Sequence, residues 1–169
     1  MEISIREATV EDAKTISSIG VASWQAAYSG IVPSEYLDSL SIEKRERYVA
    51  KSLAVHTNRF MIAEADGQAV GMICFYSSNS ETAMREIWEL EALYLLPQYW
   101  NKGIGRKLIQ YAFQYIRDHG GCNCNLWVLA DNNRARKFYE SAGLICIGIE
   151  KSIIIGGKEL IEVCYSIPL

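Results

Sequence analysis

Residues Glu89 to Arg106 decide the fold, and they read ELEALYLLPQYWNKGIGR. Alternating acidic and apolar residues lead into an apolar segment that ends at Pro97, and Gly103 and Gly105 then precede a helical pattern. This order predicts a strand, a tight glycine turn and a helix. Because such a turn leaves unpaired N–H groups at the positive end of a helix, it can hold a phosphate or pyrophosphate.

The turn also carries positive charge. Lys102, Arg106 and Lys107 lie beside the two glycines, which would let the backbone approach an anion without an intervening Cβ atom. A Gly-x-Gly turn alone is weak evidence for a phosphate site, since many strand-to-helix turns use glycine for conformational reasons only. A Walker-type nucleotide site is disfavoured, because Arg106 and Lys107 follow the turn in place of the lysine and hydroxyl pair.

Composition indicates one globular domain, residues 1–169. The chain is 50% hydrophobic and 22% charged, with a net charge of −3. This balance gives no basis for binding nucleic acid or an anionic membrane surface, and no apolar run is long enough to span a membrane. Early acids in the first residues do not fit a secretory signal, so we expect a cytoplasmic protein.

The sequence predicts no metal site. Two histidines, His56 and His119, stand apart from the Cys122-x-Cys124 pair, so ligand spacing is lacking. The cysteines are odd in number and scattered over segments with strand patterns, and we expect them to be reduced core residues. They are Cys74, Cys122, Cys124, Cys146 and Cys164.

Periodicity along the chain predicts an α/β (α+β) fold with the element order βααβββαβαββ. A mixed, mostly antiparallel sheet of about seven strands would be flanked by helices. Asp66-Gly67 indicates a hairpin, and Gly156-Gly157 indicates the turn between two long terminal strands. The predicted strands are 1–8, 59–65, 68–77, one from near Arg85, 122–129 and two after Leu144, and the predicted helices are 9–28, a short one at 34–40, 42–53, 105–119 and 132–142.

Two motifs resemble those of the GCN5-related N-acetyltransferase (GNAT) superfamily. The first is Leu93-Tyr94-Leu95 with Pro97, followed by Trp100-Asn101-Lys102-Gly103-Ile104-Gly105, and the second is NNRARKFYESAGL from Asn132 to Leu144. Trp100 departs from the Gln or Arg that the family usually has, which affects a side-chain contact more than a cradle of main-chain amides. The resemblance spans most of the chain and implies a single N-acetyltransferase domain with a GNAT-like sheet.

The resemblance implies acetyl-CoA as the cosubstrate. In the family, the pantetheine arm lies between two splayed strands and bonds to the backbone of the first, although Leu93 and Leu95 would otherwise be interpreted as core residues. A backbone N–H at Leu95 could stabilise the oxyanion, and Arg134 and Lys137 add charge for the phosphates. The cofactor-binding residues are expected to be Leu93, Tyr94, Leu95, Asn101, Lys102, Gly103, Ile104, Gly105, Arg106, Asn132, Arg136 and Tyr139.

Three residues are candidates for catalysis. The family uses the tyrosine of its Phe-Tyr-Glu segment, here Tyr139, to protonate the leaving thiolate; a packing tyrosine is the alternative. Strand alternation would place Glu89 and Glu91 on one face with Leu93 and Leu95. Either carboxylate could take the ammonium proton, directly or through water, or hold a cationic acceptor, and Glu89 matches the family's acid better. Solvated surface carboxylates are the competing interpretation.

The predicted reaction is acetyl transfer to a primary amine of a small molecule by direct attack. Trp24 and Tyr28, one helical turn apart, are candidates to shape the amine site, unless both are core aromatics. A polyamine, an aminoglycoside or an amino-acid derivative would suit the acidic residues, and a protein amino terminus also fits. A non-catalytic acyl-CoA-binding or sensor domain is the alternative class. The terminal strands could form a homodimer contact, and no nucleic acid or membrane partner is expected.

Overall fold

The computed structural model describes residues 1–55, 58–78 and 86–169. Most of the predicted loop after Ser78, the predicted strand start near Arg85, and His56 lie outside these residues. The strands are β1 Ile3–Glu7, β2 Arg59–Ala65, β3 Gln68–Ser77, β4 Glu86–Leu95, β5 Gly121–Leu129, β6 Ile145–Ile155 and β7 Lys158–Pro168. The α-helices are α1 Ala13–Ala27, α2 Ser34–Asp38, α3 Ile42–Val55, α4 Ile104–Asp118 and α5 Asn133–Ser141.

In the described part of the chain, these strands form a seven-stranded sheet in the order β1-β2-β3-β4-β5-β7-β6. The β4–β5 pair is parallel and the other neighbours are antiparallel. The predicted fold class is confirmed, and α2 corresponds to the short helix predicted at 34–40, which the predicted element order leaves out. At the hairpin between β2 and β3, Asp66 and Gly67 both have positive φ, as a tight primed turn requires.

The start of α1 is held to β1 and β2 by charge-assisted bonds. The guanidinium of Arg6 donates to both carboxylate oxygens of Asp12 at 2.8 Å and to Glu64 at 2.7 Å. Asp12 also accepts from the backbone N–H of Thr9 at 2.8 Å, which closes the turn before the helix. The bonds from Arg6 are the main reason that the pKa of Asp12 falls to about 2.

The two faces of the sheet have different hydrophobic cores. Helix α4 packs on one face, where buried residues such as Leu108 and Ile109 meet Phe75 and Leu90. Helices α1 and α3 cover the other face. Gly71 on β3 is required by packing, because a Cβ atom there would collide with the side chain of Leu95 on β4. This close approach fixes the end of β4, from which the candidate site begins.

Candidate active site

The site begins where β4 and β5 separate. The parallel ladder between them ends at the pair Leu90–Leu126, although β4 continues to Leu95 and β5 to Leu129. On its other edge, β4 stays paired with β3 up to Leu95. The sheet therefore opens between two strands that are still extended.

A cavity of about 530 Å³ lies in this opening. Its wall comes from α1, the ends of β4 and β5, the glycine turn and α5. The lining residues include Trp24, Tyr28, Glu91, Leu93, Tyr94, Leu95, Trp100, Asn101, Gly103, Gly105, Arg106, Trp127, Asn132, Arg134, Lys137, Phe138 and Tyr139. Most of the residues that sequence analysis assigned to the cofactor thus lie around one space.

Main-chain groups of β4 face the opening. The N–H of Leu96 donates to Val70 on β3 at 2.9 Å, so the N–H groups of Leu93 and Leu95 point to the opposite edge. That edge has no β5 partner beyond Leu90. An extended ligand can therefore bond to β4 in the manner of an additional strand.

The two glycines of the turn have different roles. Gly103 has φ +79° at the N-cap of α4, and a Cβ atom there would meet open space, so backbone conformation requires this glycine. Gly105 is favoured by packing, since a Cβ atom there would lie 3.2 Å from the Leu95 side chain and 3.4 Å from that of Phe138, closer than an ordinary contact. Asn101 also has positive φ, at +59°. The turn thus directs the first N–H groups of α4 toward the cavity wall.

Trp100 organises the cationic side of the cavity. Its indole N–H donates to the carbonyl of Leu95 at 2.9 Å, and the guanidinium carbon of Arg134 lies 3.6 Å from the centre of its ring. Arg106, which also lines the cavity, donates to the carbonyl of Ser141 at 2.9 Å. The residue that departs from the family pattern therefore connects the end of β4 to a cation on α5.

Three predicted cofactor residues lie outside the cavity wall. Ile104 is buried in the core under α4, and the Lys102 ammonium lies over the ring of Tyr99 at 5.0 Å. The guanidinium of Arg136 donates to the Tyr165 hydroxyl at 3.1 Å and to a carbonyl at 3.0 Å. The prediction for the Arg136 side chain is corrected, since these bonds tie α5 to the sheet and turn the charge away from the cavity.

Tyr139 lines the cavity. Its side chain is buried, and the described residues provide no hydrogen-bond partner for its hydroxyl. Burial raises the pKa of Tyr139, with smaller contributions from Tyr94 and Cys124. Asn132 caps the same helix by accepting from the N–H of Ala135 at 3.1 Å, which sets the start of α5.

A β-bulge corrects the predicted position of the two glutamates. Cys74 pairs with Ala92 and Phe75 pairs with Leu90, so Glu91 is an extra residue on β4. The bulge reverses the alternation, and both carboxylates lie on the face of α1 and α3, opposite the side chains of Leu93 and Leu95. The prediction that all four share a face is therefore wrong.

The two carboxylates also differ in their surroundings. Glu91 lines the cavity and accepts from the amide of Asn58 at 2.6 Å and from the thiol of Cys74 at 3.3 Å. Glu89 is outside the cavity wall and hydrogen-bonds with Tyr76. After burial, that bond is the largest cause that raises the pKa of Tyr76 to about 12. The structure therefore favours Glu91 over Glu89 as a residue that a ligand can reach.

Aromatic residues form the wall nearest α1. The indole N–H of Trp24 donates to the Tyr94 hydroxyl at 2.9 Å, and its ring meets Tyr28 edge-on at 4.7 Å. Burial raises the pKa of Tyr28 and of Tyr94. Trp24 and Tyr28 also pack on the core beneath α2, so they combine a structural position with a place in the cavity wall.

Sequence reasoning missed several residues of the wall, and Trp127 and Trp100 are the largest of them. Trp127 on β5 lines the cavity, and Trp100 was discussed only as a departure from a motif. For Trp127 a signal was available, since alternation with the buried Leu126 and Val128 places its side chain on the opposite face from theirs. The contact of Trp100 with Arg134 joins residues far apart in the chain, and no local pattern indicates it.

Within the described ranges, no three His, Cys, Asp or Glu residues are grouped so that they could hold a metal. None of the helices described is long and apolar enough to cross a membrane. Cations, free N–H groups of β4 and the phenol of Tyr139 lie around one cavity. These groups are the ones that an acyl-CoA-dependent transferase needs.

Comparison with known proteins specifies the class further. Residues 21–144 match the Acetyltransferase (GNAT) family, and the chain belongs to this family. The uncharacterized N-acetyltransferase YuaI of Bacillus subtilis is 31% identical over 98% of this chain and 93% of its own length. Spermidine N(1)-acetyltransferase of Thermoplasma acidophilum is 30% identical, over 85% of this chain and 88% of its own.

A solved structure is similar over nearly the whole chain. PaiA N-acetyltransferase from Thermoplasma acidophilum, in complex with coenzyme A, has a TM-score of 0.73 and 28% identity, covering 96% of this chain and 98% of its own. The protein is thus an N-acetyltransferase that uses acetyl-CoA. The opening between β4 and β5, the glycine turn and the cations on α5 fit this cosubstrate.

Proposed function

We propose that the protein acetylates a primary amine of a small cationic molecule by direct attack on acetyl-CoA. Acetyl-CoA supplies the acetyl group as a thioester. The observation that carries the proposal is the hydroxyl of Tyr139, a residue that lines the cavity, because this hydroxyl has no hydrogen-bond partner in the described residues. A phenol in that position can give its proton to the departing thiolate.

Binding of the cosubstrate would use both ends of the opening. The N–H groups of the glycine turn, with Arg106 and Arg134, would hold the phosphates. The free edge of β4 would bond to the pantetheine arm, and the N–H of Leu95 would stabilise negative charge on the carbonyl oxygen. Each of these groups is held by packing or by hydrogen bonds, so little reorganisation is needed.

The raised pKa of Tyr139 keeps its hydroxyl protonated and at the same time makes the phenol a weaker acid. A tyrosine ordinarily has a pKa of about 10, and a thiol like cysteine about 8.5. Because burial raises the pKa of Tyr139 further, the phenol stays protonated throughout the physiological range. The proton that it gives up returns from solvent after coenzyme A leaves.

Glu91 is the carboxylate proposed to receive the amine. It lies in the cavity wall and is exposed, so a cationic acceptor can reach it. The carboxylate attracts the ammonium group and accepts its proton, directly or through water, which leaves a neutral nucleophile. A polyamine is the acceptor class that this charge favours, and the name of the related spermidine acetyltransferase supports it.

The proposal is tested by measuring release of coenzyme A with a panel of amines. The panel contains spermidine, an α,ω-diamine, an aminoglycoside, an amino acid and a peptide with a free amino terminus. Tyr139→Phe should lower kcat by about 10²- to 10⁴-fold, the usual contribution of a positioned acid. Its KM for acetyl-CoA should change little, because the ring remains.

A matched control is Tyr111→Phe, which removes the same hydroxyl from a surface tyrosine on α4. It should leave kcat unchanged. Glu91→Gln should raise KM for cationic amines and lower kcat. If Tyr139→Phe turns over as fast as the unaltered protein, the assigned acid is wrong; if no amine in the panel releases coenzyme A, the proposed acceptor class is wrong.

A further inference from the structure

Lys151 occupies a position on the sheet that is built to hold an ammonium group. Its Nζ atom lies 4.0 Å from the centre of the Trp127 ring and 3.4 Å from a carboxylate oxygen of Glu162. An aromatic face and a carboxylate together are the groups that bind an alkylammonium ion. We define Trp127 and Glu162 as the ammonium subsite.

This subsite adjoins the cavity. Trp127 is part of the cavity wall. Glu162 is close enough to Tyr28, another wall residue, for its charge to raise the pKa of that phenol. Trp127, Glu162 and Lys151 lie on neighbouring strands, since Glu162 pairs with Lys151 on β6 and β7 runs beside β5. A molecule that extends from the cavity across β5 would meet the subsite.

Lys151 is held there loosely. It lies on the edge strand β6, its side chain is 47% exposed, and that of Glu162 is only 18% exposed. Ion pairs with an exposed partner contribute little to stability, so the lysine can swing into solvent at small cost. The aromatic ring and the less exposed carboxylate would stay in place for another cation.

We propose that the acceptor carries a second ammonium group, which displaces Lys151 and binds between Trp127 and Glu162. This inference rests on the proposed function and deepens it, because it assigns a site for the second cation of a diamine or polyamine. Glu91 would receive the amine to be acetylated, and the subsite would hold the distal cation. Lys151 then acts as an internal competitor that weakens the binding of diamines and leaves the binding of monoamines unaffected.

The test compares α,ω-diamines of three to five carbons, and spermidine, with n-alkylamines of matched chain length. Lys151→Ala should lower KM for the diamines by about three- to tenfold, because the competitor is gone. Glu162→Gln and Trp127→Leu should raise KM for the diamines by a similar factor. KM for the monoamines should change less than about twofold in all three variants.

Glu150→Gln is the matched control. Glu150 is next to Lys151 on β6, and strand alternation places its side chain on the opposite face. This variant removes one negative charge nearby and should leave both KM values unchanged. Thermal unfolding of each variant checks that the fold is kept. Parallel shifts for diamines and monoamines, or no shift for either, would overturn the inference.

Calorimetry separates this inference from the proposed function. Putrescine is titrated into the complex with coenzyme A, in which no transfer occurs. Binding that is weakened by Glu162→Gln and strengthened by Lys151→Ala supports the subsite even if turnover is lacking. Absence of turnover with every amine would refute the proposed function, and equal putrescine binding by all variants would refute the subsite.

Discussion

Replacement of Arg134 by alanine should weaken the phosphate end of the cosubstrate site selectively. The guanidinium is stacked 3.6 Å from the centre of the Trp100 ring and lines the cavity. A hydrogen bond to a charged group contributes about 1.5–3 kcal/mol, and 1.4 kcal/mol corresponds to a tenfold change in affinity. Since Arg134 is exposed, the lower end applies, and the dissociation constant for coenzyme A should rise about tenfold.

Calorimetry with three ligands measures this effect. Coenzyme A, dephospho-coenzyme A and pantetheine share the thiol arm and differ in their phosphates. Arg134→Ala should weaken the binding of coenzyme A and leave the binding of pantetheine unchanged. Dephospho-coenzyme A lacks the ribose phosphate, so its affinity shows whether Arg134 contacts that phosphate or the pyrophosphate. Arg117→Ala, at the far end of α4, is the control. Equal weakening of all three ligands, or none, would refute a phosphate contact by Arg134.

The stack on Trp100 makes a second comparison possible. Trp100→Phe keeps an aromatic face under the guanidinium but loses the 2.9 Å bond to the Leu95 carbonyl. Trp100→Leu loses both. If the stack positions Arg134, Trp100→Leu should lose part of the coenzyme A affinity that Arg134→Ala loses. Trp100→Phe should keep more of that affinity than Trp100→Leu.

Three other predictions concern the turn, the acid and the start of α1. Gly103→Ala should lower the free energy of unfolding by about 1–2 kcal/mol through its positive φ and weaken coenzyme A binding, whereas Gly120→Ala, with the same φ at the far end of α4, should cost stability only. Because burial raises the pKa of Tyr139, the neutral donor persists as pH rises, so kcat should not fall between about pH 9 and pH 10, and a fall there would contradict the assignment. Arg6 lowers the pKa of Asp12 to about 2, so the ionised carboxylate stabilises the fold fully above the ordinary aspartate pKa near 4, and this stabilisation is lost as pH falls toward 2. Asp12→Asn should therefore lower the free energy of unfolding in urea by about 1 kcal/mol at neutral pH. The difference between the two proteins should shrink below about pH 4.

Local patterns were sufficient to predict the elements and the glycine turn. Asp66-Gly67 requires positive φ at both positions, and the structure has it at both. The apolar stripe of α4 is periodic, so its bounds were predicted within about one residue. In each case the determining interactions lie within a few residues, where sequence periodicity is informative.

The details of the site depended on contacts that sequence does not display. A single extra residue at Glu91 reverses the face of the glutamates, and its cause is the register with β3, a separate strand. The charge of Arg136 is directed by Tyr165, which is far along the chain. From the sequence, Trp100 was interpreted as the loss of a side-chain contact in the motif. In the structure its ring stacks against Arg134, and its indole N–H bonds to the end of β4. Each of these features depends on a contact between residues that are far apart in the chain.

The short ladder between β4 and β5 also affects how well the protein resists unfolding and proteolysis. Only five residue pairs, from Glu86 to Leu90 on β4, form the seam between the two halves of the sheet in the described chain. A ligand that bonds along the open edges lengthens this seam, and at a hundredfold excess over its dissociation constant it stabilises the fold by about 2.7 kcal/mol. We therefore expect the abundance of acetyl-CoA to govern resistance to proteases as well as the speed of acetylation.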